Sequence, residues 1–303
     1  MHPALITLLV LLAIFFVLLI VVYILSHPGK QREGMEPYLR YKYAHRGLHD
    51  DAHAENSLSA FSLAVEQGFG IELDVHLSRD GEVVVFHDKT LLRVCGVEGE
   101  ISDHTAEELS HLSLSGTSEG VPTLREVLAL VGGRVPILVE IKSETTKDAD
   151  LTARTLELLR AYGGPYLVQS FNPLAVADAR RIAPEAMRGF LGSYLTKNKE
   201  KKDWKLSHFI VQNFLLNCKA HPDFIAYDKE HVTFAPFALF RLCHVHRPLF
   251  CWTIRSPEEE ERARRQGFDT VIFEGYVPEE RYSSPIHHDP HDHHRHTRTT
   301  EDV

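Results

Sequence analysis

Polar side chains suited to proton transfer and cation binding follow short apolar runs in the first third of the chain. His45 and Arg46 close one apolar run, Glu72 and Asp74 lie within the next, and His87 ends a third. Histidine titrates near neutral pH and can accept or donate a proton, whereas carboxylate oxygens suit a hard divalent cation. Together these residue types indicate metal-assisted chemistry on a phosphoester.

The two carboxylates of the second run are two positions apart. On a β-strand, Glu72 and Asp74 therefore project from the same face. Inside a barrel, each carboxylate would raise the pKa of the other unless a cation lay between them. Glu140, near the end of another apolar run, could supply a third oxygen ligand for Mg²⁺ or Ca²⁺. The alternative is that these carboxylates cap helices or pair with arginine and lysine.

Two histidines and two cations complete the candidate catalytic groups. His45 and His87 both end apolar runs and could stand on opposite sides of a bound phosphate as its general acid and base. Any one of the 20 histidines is more often a surface residue or a hydrogen-bonded core residue, but the strand-end position favours a catalytic role for these two. Arg46 offers a guanidinium fork that matches phosphate oxygens, and Lys142 offers a point charge. Both cations could instead neutralise the carboxylates.

Apolar runs alternate with segments of helical periodicity from residue 41 onward. Such alternation is typical of parallel strands joined by helices. The run 83–87 is the exception, because the Asp80-Gly81 connection before it is too short for a crossover and indicates a hairpin. The other runs form eight βα units, which predicts an α/β protein with a (β/α)₈ TIM barrel. The predicted strands are 41–45, 71–75, 83–87, 136–141, 166–170, 187–191, 223–227, 249–254 and 270–273.

A barrel of this kind carries its catalytic groups at the carboxyl ends of its strands. The candidate residues lie there, as do Ser170 and Glu274 at the ends of later strands. Segment 88–121 has no strong strand pattern and contains scattered glycine, serine and histidine. We therefore expect an insertion at the barrel rim that helps to shape a pocket.

The two ends of the chain differ from the barrel in composition. Residues 1–26 predict a single transmembrane anchor, because 4–25 carries no charge and about 22 helical residues span about 33 Å. A cleaved signal peptide is the alternative, but it would have basic residues before a shorter apolar core. We expect a linker at 27–40, the barrel at 41–284 and a disordered histidine-rich tail at 285–303. The alternative for the tail is a site for Zn²⁺ or Ni²⁺.

Charge and cysteine content restrict the partners and the compartment. Lys30, Arg32, Arg40 and Lys42 follow the apolar segment, which predicts a single-pass cell-membrane protein with its catalytic domain in the cytoplasm. The net charge is −9 without a basic stripe, so nucleic acid is not an expected partner. Four scattered cysteines indicate neither a zinc site nor a disulfide framework.

At these residues the sequence resembles the glycerophosphodiester phosphodiesterase family, which shares its barrel with bacterial phosphatidylinositol phospholipases. The resemblance covers roughly residues 42–278 and consists of nine short motifs in register. The motifs are Ala44-His45-Arg46-Gly47, Glu55-Asn56-Ser57 before Ala60-Phe61, Glu72-Leu73-Asp74-Val75, Asp80-Gly81, Val84-Val85-Phe86-His87-Asp88, Pro122-Thr123-Leu124, Glu140-Ile141-Lys142, Gln169-Ser170-Phe171 and Trp252-Thr253-Ile254. Each motif alone is weak, whereas nine in register are highly specific.

The resemblance implies hydrolysis of glycerophosphodiesters to sn-glycerol 3-phosphate and an alcohol, with Mg²⁺ or Ca²⁺. In related enzymes a substrate hydroxyl attacks phosphorus first, and water then opens the cyclic intermediate. By resemblance, the acid/base pair is His45 and His87, the phosphate ligands are Arg46 and Lys142, and the metal ligands are Glu72, Asp74 and Glu140.

Two positions at the barrel rim depart from the family's usual pattern. Arg255 stands where the family usually has Asn, and Phe273-Glu274 stands where it usually has Thr-Asp. Both departures bear on substrate choice.

The substrate is the most open part of the sequence-based interpretation. Trp252 could line the substrate pocket and stack on a glycerol or choline portion, although a buried barrel aromatic is equally ordinary. A barrel held near a bilayer could instead cleave lysophospholipids, as a lysophospholipase D does, or polyglycerol phosphate. A catalytically silent barrel used for binding is the alternative from another functional class.

Overall fold

The computed structural model describes residues 2–143, 149–194, 206–244 and 247–281. The predicted histidine-rich tail, 285–303, lies outside the described residues. Within them, nine strands form a single sheet, and each predicted strand is present. The strands are β1 (Tyr43–Ala44), β2 (Gly70–Leu77), β3 (Val83–Val85), β4 (Ile137–Ile141), β5 (Tyr166–Ser170), β6 (Met187–Gly192), β7 (Phe224–Asp228), β8 (Leu249–Ile254) and β9 (Thr270–Phe273).

Eight of these strands are parallel and close into a barrel. Neighbours follow the order β1, β9, β8, β7, β6, β5, β4, β2, and pairing of β1 with β2 completes the circle. β3 lies antiparallel to β2, with Val85 opposite Val75, because the turn between them is too short for a crossover. The predicted TIM barrel and the predicted hairpin are both confirmed.

Helices connect most strands, and polar caps define several of their first residues. The side chains of Ser57, Thr123, Asn172 and Ser256 each accept a backbone hydrogen bond at the start of a helix. The helices are α1 (Pro3–Ser26), α2 (Glu36–Leu39), α3 (Leu58–Glu66), α4 (Leu92–Cys95), α5 (Ala106–Ser110), α6 (Leu124–Val131), α7 (Ala149–Tyr162), α8 (Pro173–Ile182), α9 (Leu206–Gln212), α10 (Asn217–Ala220), α11 (Ala235–Cys243) and α12 (Pro257–Arg265), with short 3₁₀ turns at Ile101–Asp103 and Lys229–His231.

Apolar side chains fill three separate spaces. The largest cluster lies between the outer face of the strands and the surrounding helices. A second cluster fills the barrel interior, with Tyr43, Leu138, Phe224 and Phe250 fully buried. The segment 88–121 contributes to a third cluster around Phe86, together with residues from β3. The segment therefore packs against β3 and Phe86 through a shared apolar cluster rather than lying as a loose loop.

α1 is long and apolar enough to cross a membrane by length and composition. It has 24 residues, and its most apolar window has a mean hydropathy of 3.5. The segment after it is held against the barrel: Arg247 donates to the carbonyl oxygen of Gly29 at 2.7 Å, and Met35 is buried in the interior cluster. Arg32 donates to the carbonyl oxygens of Pro184 and Glu185 at 2.7 and 2.8 Å.

Gly47 allows the loop after β1 to lie against α3. Its φ is +83°, and an added Cβ would stand 2.9 Å from Ala60 Cβ and 3.0 Å from the Ala60 carbonyl carbon. We predict that Gly47→Ala lowers the free energy of unfolding by about 2–4 kcal/mol, from backbone strain plus overpacking. Urea denaturation measures the loss.

Gly96→Ala is the matched control, because Gly96 has a φ of +70° but no atom of the described residues lies within 4 Å of an added Cβ. Gly96→Ala should lower the free energy of unfolding by only about 1–2 kcal/mol, from backbone strain. Equal losses in the two variants would contradict the packing argument at Gly47.

Candidate active site

The candidate residues form a polar layer directly above the apolar filling of the barrel. Side chains on a strand return to the same face every second residue. On five strands, a buried interior residue is therefore followed, two positions later, by a polar or aromatic side chain at the carboxyl end of the strand. The pairs are Tyr43 and His45, Leu138 and Glu140, Leu167 and Gln169, Phe250 and Trp252, and Ile272 and Glu274.

Three carboxylates meet in this layer. Glu72 and Asp74 lie on β2, and Glu140 lies opposite Asp74 on the neighbouring strand β4. Each has an oxygen within 4.8 Å of the others, and all three residues are buried. Sequence spacing predicted the shared face of Glu72 and Asp74, and Glu140 was expected as a third ligand from its position at a strand end. The donor set consists of hard oxygens of the kind that Mg²⁺ and Ca²⁺ prefer.

Two cations accompany the carboxylates. The Lys142 Nζ lies 2.9 Å from Asp74 Oδ1 and 2.7 Å from Glu140 Oε1. The Arg46 Nε lies 3.5 Å from Asp74 Oδ2, and its terminal nitrogen donates to Glu55 Oε1 at 2.9 Å. Both predicted phosphate ligands thus contact carboxylates of the cluster.

Burial and mutual repulsion separate the carboxyl pKa values. Burial, with repulsion from Asp74 and Glu140, raises the pKa of Glu72 well above its usual range. Burial raises the pKa of Glu140 to about 7, although Lys142 opposes the shift. Burial also opposes ionisation of Asp74, but Lys142, His87 and Arg46 hold its pKa below its usual range. The raised pKa values of Glu72 and Glu140 mean that Lys142 and Arg46 do not fully offset burial and mutual repulsion, so the cluster fits a divalent cation.

Each candidate histidine is paired through the same ring nitrogen with a carboxylate. His45 Nδ1 lies 2.6 Å from Glu274 Oε2, and His87 Nδ1 lies 2.5 Å from Asp88 Oδ1. Burial lowers the pKa of both histidines, and their carboxylate partners oppose that shift. A carboxylate on Nδ1 favours the tautomer with a proton there, which leaves Nε2 for proton exchange with a substrate.

Charged residues connect the His87 pair to the carboxylate cluster. Arg93 on α4 donates to Asp88 Oδ2 at 2.5 Å and to both Glu55 oxygens at 2.7 and 2.8 Å. Glu55 in turn accepts from Arg46. Glu55 belongs to the Glu55-Asn56-Ser57 motif of the family resemblance. The sequence did not predict a role for Arg93, because its contacts depend on how segment 88–121 folds across the barrel rim.

Backbone geometry positions the groups around Asp74. Arg46 and Asn56 both have left-handed backbones, with φ values of +56° and +58°. Asn56 donates its backbone N–H to the Arg46 carbonyl oxygen at 2.8 Å and its side-chain amide to Asp74 Oδ2 at 3.0 Å. The Arg46 N–H donates to Glu72 Oε2 at 3.1 Å. The left-handed backbones of Arg46 and Asn56 thus hold their donor groups within hydrogen-bonding distance of Glu72 and Asp74.

The far side of the layer is aromatic. Trp252 is half-buried and meets Phe171 edge to face, with 5.7 Å between ring centroids. Trp252 Nε1 and Gln169 Oε1 are buried and have no hydrogen-bond partner within the described part of the chain. Ser170, also expected at a strand end, instead donates to the Ile141 carbonyl oxygen at 2.7 Å and so stabilises the neighbouring strand.

Comparisons with known proteins agree with this geometry. The sequence profile of the glycerophosphoryl diester phosphodiesterase family matches residues 45–275. A glycerophosphodiester phosphodiesterase from Caldanaerobacter subterraneus is 28% identical over 239 residues, covering 76% of this chain and 91% of that protein.

Solved structures extend the likeness to the fold. An Oleispira antarctica phosphodiesterase in complex with the product sn-glycerol-3-phosphate has a TM-score of 0.64 and 25% identity, covering 78% of this chain and 93% of that chain. A glycerophosphodiester phosphodiesterase from Thermotoga maritima has a TM-score of 0.58 and 26% identity, covering 76% of this chain and 92% of that chain. The chain is a phosphoric diester hydrolase and belongs to the glycerophosphoryl diester phosphodiesterase family.

Proposed function

We propose that this protein hydrolyses glycerophosphodiesters to sn-glycerol 3-phosphate and an alcohol with the help of a divalent cation. The observation that carries the proposal is the pairing of His45 and His87 with carboxylates beside three converging carboxylates. This arrangement supplies two groups for proton transfer next to a site for a cation. The sn-glycerol-3-phosphate bound by the Oleispira antarctica enzyme supports the choice of substrate class.

We assign the cation to Glu72, Asp74 and Glu140, and expect Mg²⁺ or Ca²⁺ because the donors are hard oxygens. When bound, such an ion polarises a non-bridging phosphate oxygen and neutralises charge that develops on it. Displacement of Lys142 from two of these carboxylates would free its ammonium group for a phosphate oxygen. Arg46 offers its guanidinium group to the same phosphate.

The two histidines are assigned to proton transfer. One takes a proton from the glycerol hydroxyl that attacks phosphorus, and the other donates a proton to the departing alcohol oxygen. Their roles are exchanged when water opens the cyclic phosphate. Glu274 and Asp88 hold the two rings in one tautomer and stabilise the protonated form of each.

Trp252 is assigned to the substrate pocket. Its ring lies on the barrel face that carries the carboxylates and borders Phe171. Such an aromatic wall suits the carbon atoms of glycerol or a choline head group. Its indole N–H has no hydrogen-bond partner among the described residues and can therefore serve as a donor at the same place.

We further propose that α1 anchors the protein in the cell membrane, with the barrel of residues 41–284 on the cytoplasmic side. The helix supplies about 20 apolar residues, enough to cross the hydrocarbon core of a bilayer. Lys30 and Arg40 are exposed beyond its end, whereas Arg32 and Lys42 pair with Asp223 and Glu260. The basic residues after the helix favour this orientation.

We predict that His45→Ala and His87→Ala each lower kcat/KM by about 10²–10⁴-fold, because each removes one proton-transfer group. The assay measures sn-glycerol 3-phosphate released from glycerophosphocholine and glycerophosphoethanolamine by the full chain with Mg²⁺ or Ca²⁺. EDTA should abolish release by the wild-type protein.

His111→Ala is the control, because this exposed histidine lies at the end of α5, outside the proposed catalytic groups. It should retain wild-type activity. Product release that is indifferent to EDTA and to both histidine variants would refute the mechanism.

We predict that Glu274→Gln lowers kcat by about 10–100-fold with a smaller effect on KM, because the amide cannot stabilise protonated His45. Glu274 normally raises the pKa of His45 against the effect of burial. The pKa of His45 should therefore fall, and the limb of the kcat pH profile that reports His45 should move to lower pH.

Arg255→Gln is the matched control for Glu274. The Arg255 guanidinium lies 3.4 Å from Glu274 Oε1 and is half exposed, so its removal leaves the carboxylate in contact with His45. We expect less than about a threefold change in kcat from this weak surface pair. An unchanged pH profile in Glu274→Gln would show that Glu274 has only a structural role.

A further inference from the structure

An apolar cavity separates the end of α1 from the outer helices of the barrel. Its volume is about 340 Å³, and it lies outside the carboxylate site. The helix α1 contributes one wall, and α11 contributes most of the other. The side chains that define it include Leu19, Tyr23, Pro236, Leu239, Phe240 and Cys243.

Large apolar side chains are also exposed on α11, which lines this cavity, and on α9, the helix that precedes the lining residue Asn213. Leu239 and Leu242 on α11 are 45% and 76% exposed, and Phe209 on α9 is 41% exposed. Outside α1, these are three of the six large apolar residues exposed in the described ranges. Exposure of this kind is unfavourable in water and marks a surface that contacts something apolar.

Contacts at the end of α1 fix the position of this surface relative to the helix. Tyr23 stacks on His244, which follows α11, with 5.6 Å between ring centroids, and His27 meets His244 at 5.2 Å. The next residues are held by the bond from Arg247 to Gly29. The helix therefore joins the barrel without a free tether, and the depth of α1 in a bilayer determines the depth of α11.

The length of α1 places the cavity at the membrane boundary. A bilayer core about 30 Å thick requires about 20 residues at 1.5 Å each, which uses nearly all of the apolar segment. Leu19 and Tyr23 then lie within roughly the last 10 Å of the span. Leu239 and Phe240 line the same cavity, so this part of α11 must reach the same level.

We propose that the exposed face of α9 and α11 is a lipid-binding surface and that the cavity takes an acyl chain of a membrane phospholipid. The inference rests on the proposal that α1 spans a membrane. Its occupant is a lipid because the cavity is continuous with the lipid-facing surface of α1 and its lining is mainly apolar. Beyond an anchor, the protein would thus have a second, fixed contact with the bilayer.

Photolabelling of the full chain in phosphatidylcholine nanodiscs tests the proposal. The probe is a phosphatidylcholine with a diazirine in its acyl chain, and labelled peptides are identified by mass spectrometry. We expect label in α1 and in 206–244, and none in α6 on another side of the barrel. Label confined to α1 would overturn the lipid surface while leaving the anchor intact. Absence of label from α1 would overturn the anchor and this inference together.

Two matched variants distinguish an apolar side chain that contacts lipid from one that is exposed to water. Leu242→Asp should lower labelling of α11 by at least about threefold, because a charge is unfavourable at the edge of the hydrocarbon. Labelling of α1 and hydrolysis of glycerophosphocholine should remain unchanged. Val97→Asp, at an exposed position of the insertion, should alter neither the labelling of α11 and α1 nor the hydrolysis of glycerophosphocholine. Unchanged α11 labelling in Leu242→Asp, or a dimer contact through α11, would contradict the proposal.

Discussion

Repulsion among three buried carboxylates is the constraint on which the rest of the site depends. Glu72, Asp74 and Glu140 lie within 4.8 Å of one another beneath the surface of the barrel. Removing one carboxylate from water without compensation costs several kcal/mol, and each neighbour adds repulsion. The fold tolerates the cluster because Lys142 and Arg46 supply positive charge and because Asn56 and a backbone N–H donate hydrogen bonds.

The same electrostatics link the cluster to the histidines. Asp74 favours the protonated forms of His45 and His87, whereas burial opposes them. Each ring is also hydrogen-bonded to a carboxylate of its own, Glu274 for His45 and Asp88 for His87. A cation that joined the cluster would alter the charge felt by both rings. The acid/base groups and the cation site are therefore parts of one electrostatic unit, although different strands carry them.

Sequence patterns could predict the parts of this structure that depend on periodicity. Alternating apolar runs identified all nine strands, and the spacing of Glu72 and Asp74 placed both on one face of β2. The contacts of Lys142 with carboxylates, and the pairing of Glu274 with His45, depend on which strands become neighbours when the barrel closes. The contact of Arg93 with Glu55 depends in addition on the path that segment 88–121 takes across the barrel rim. Such long-range ion pairs have no period in the sequence, so pattern alone could not predict them.

Thermal unfolding with and without a divalent cation tests the cluster most directly, by comparing wild-type protein with Glu72→Gln at pH 8. The raised pKa of Glu72 means that the ion-free fold loses stability as pH rises above the unfolded-state pKa, so the variant should be more stable in EDTA. Mg²⁺ or Ca²⁺ at about 100 times its Kd should stabilise the wild-type protein by about 2.7 kcal/mol and the variant by much less. Equal stabilisation of both proteins, or of neither, would contradict a cation site at these carboxylates.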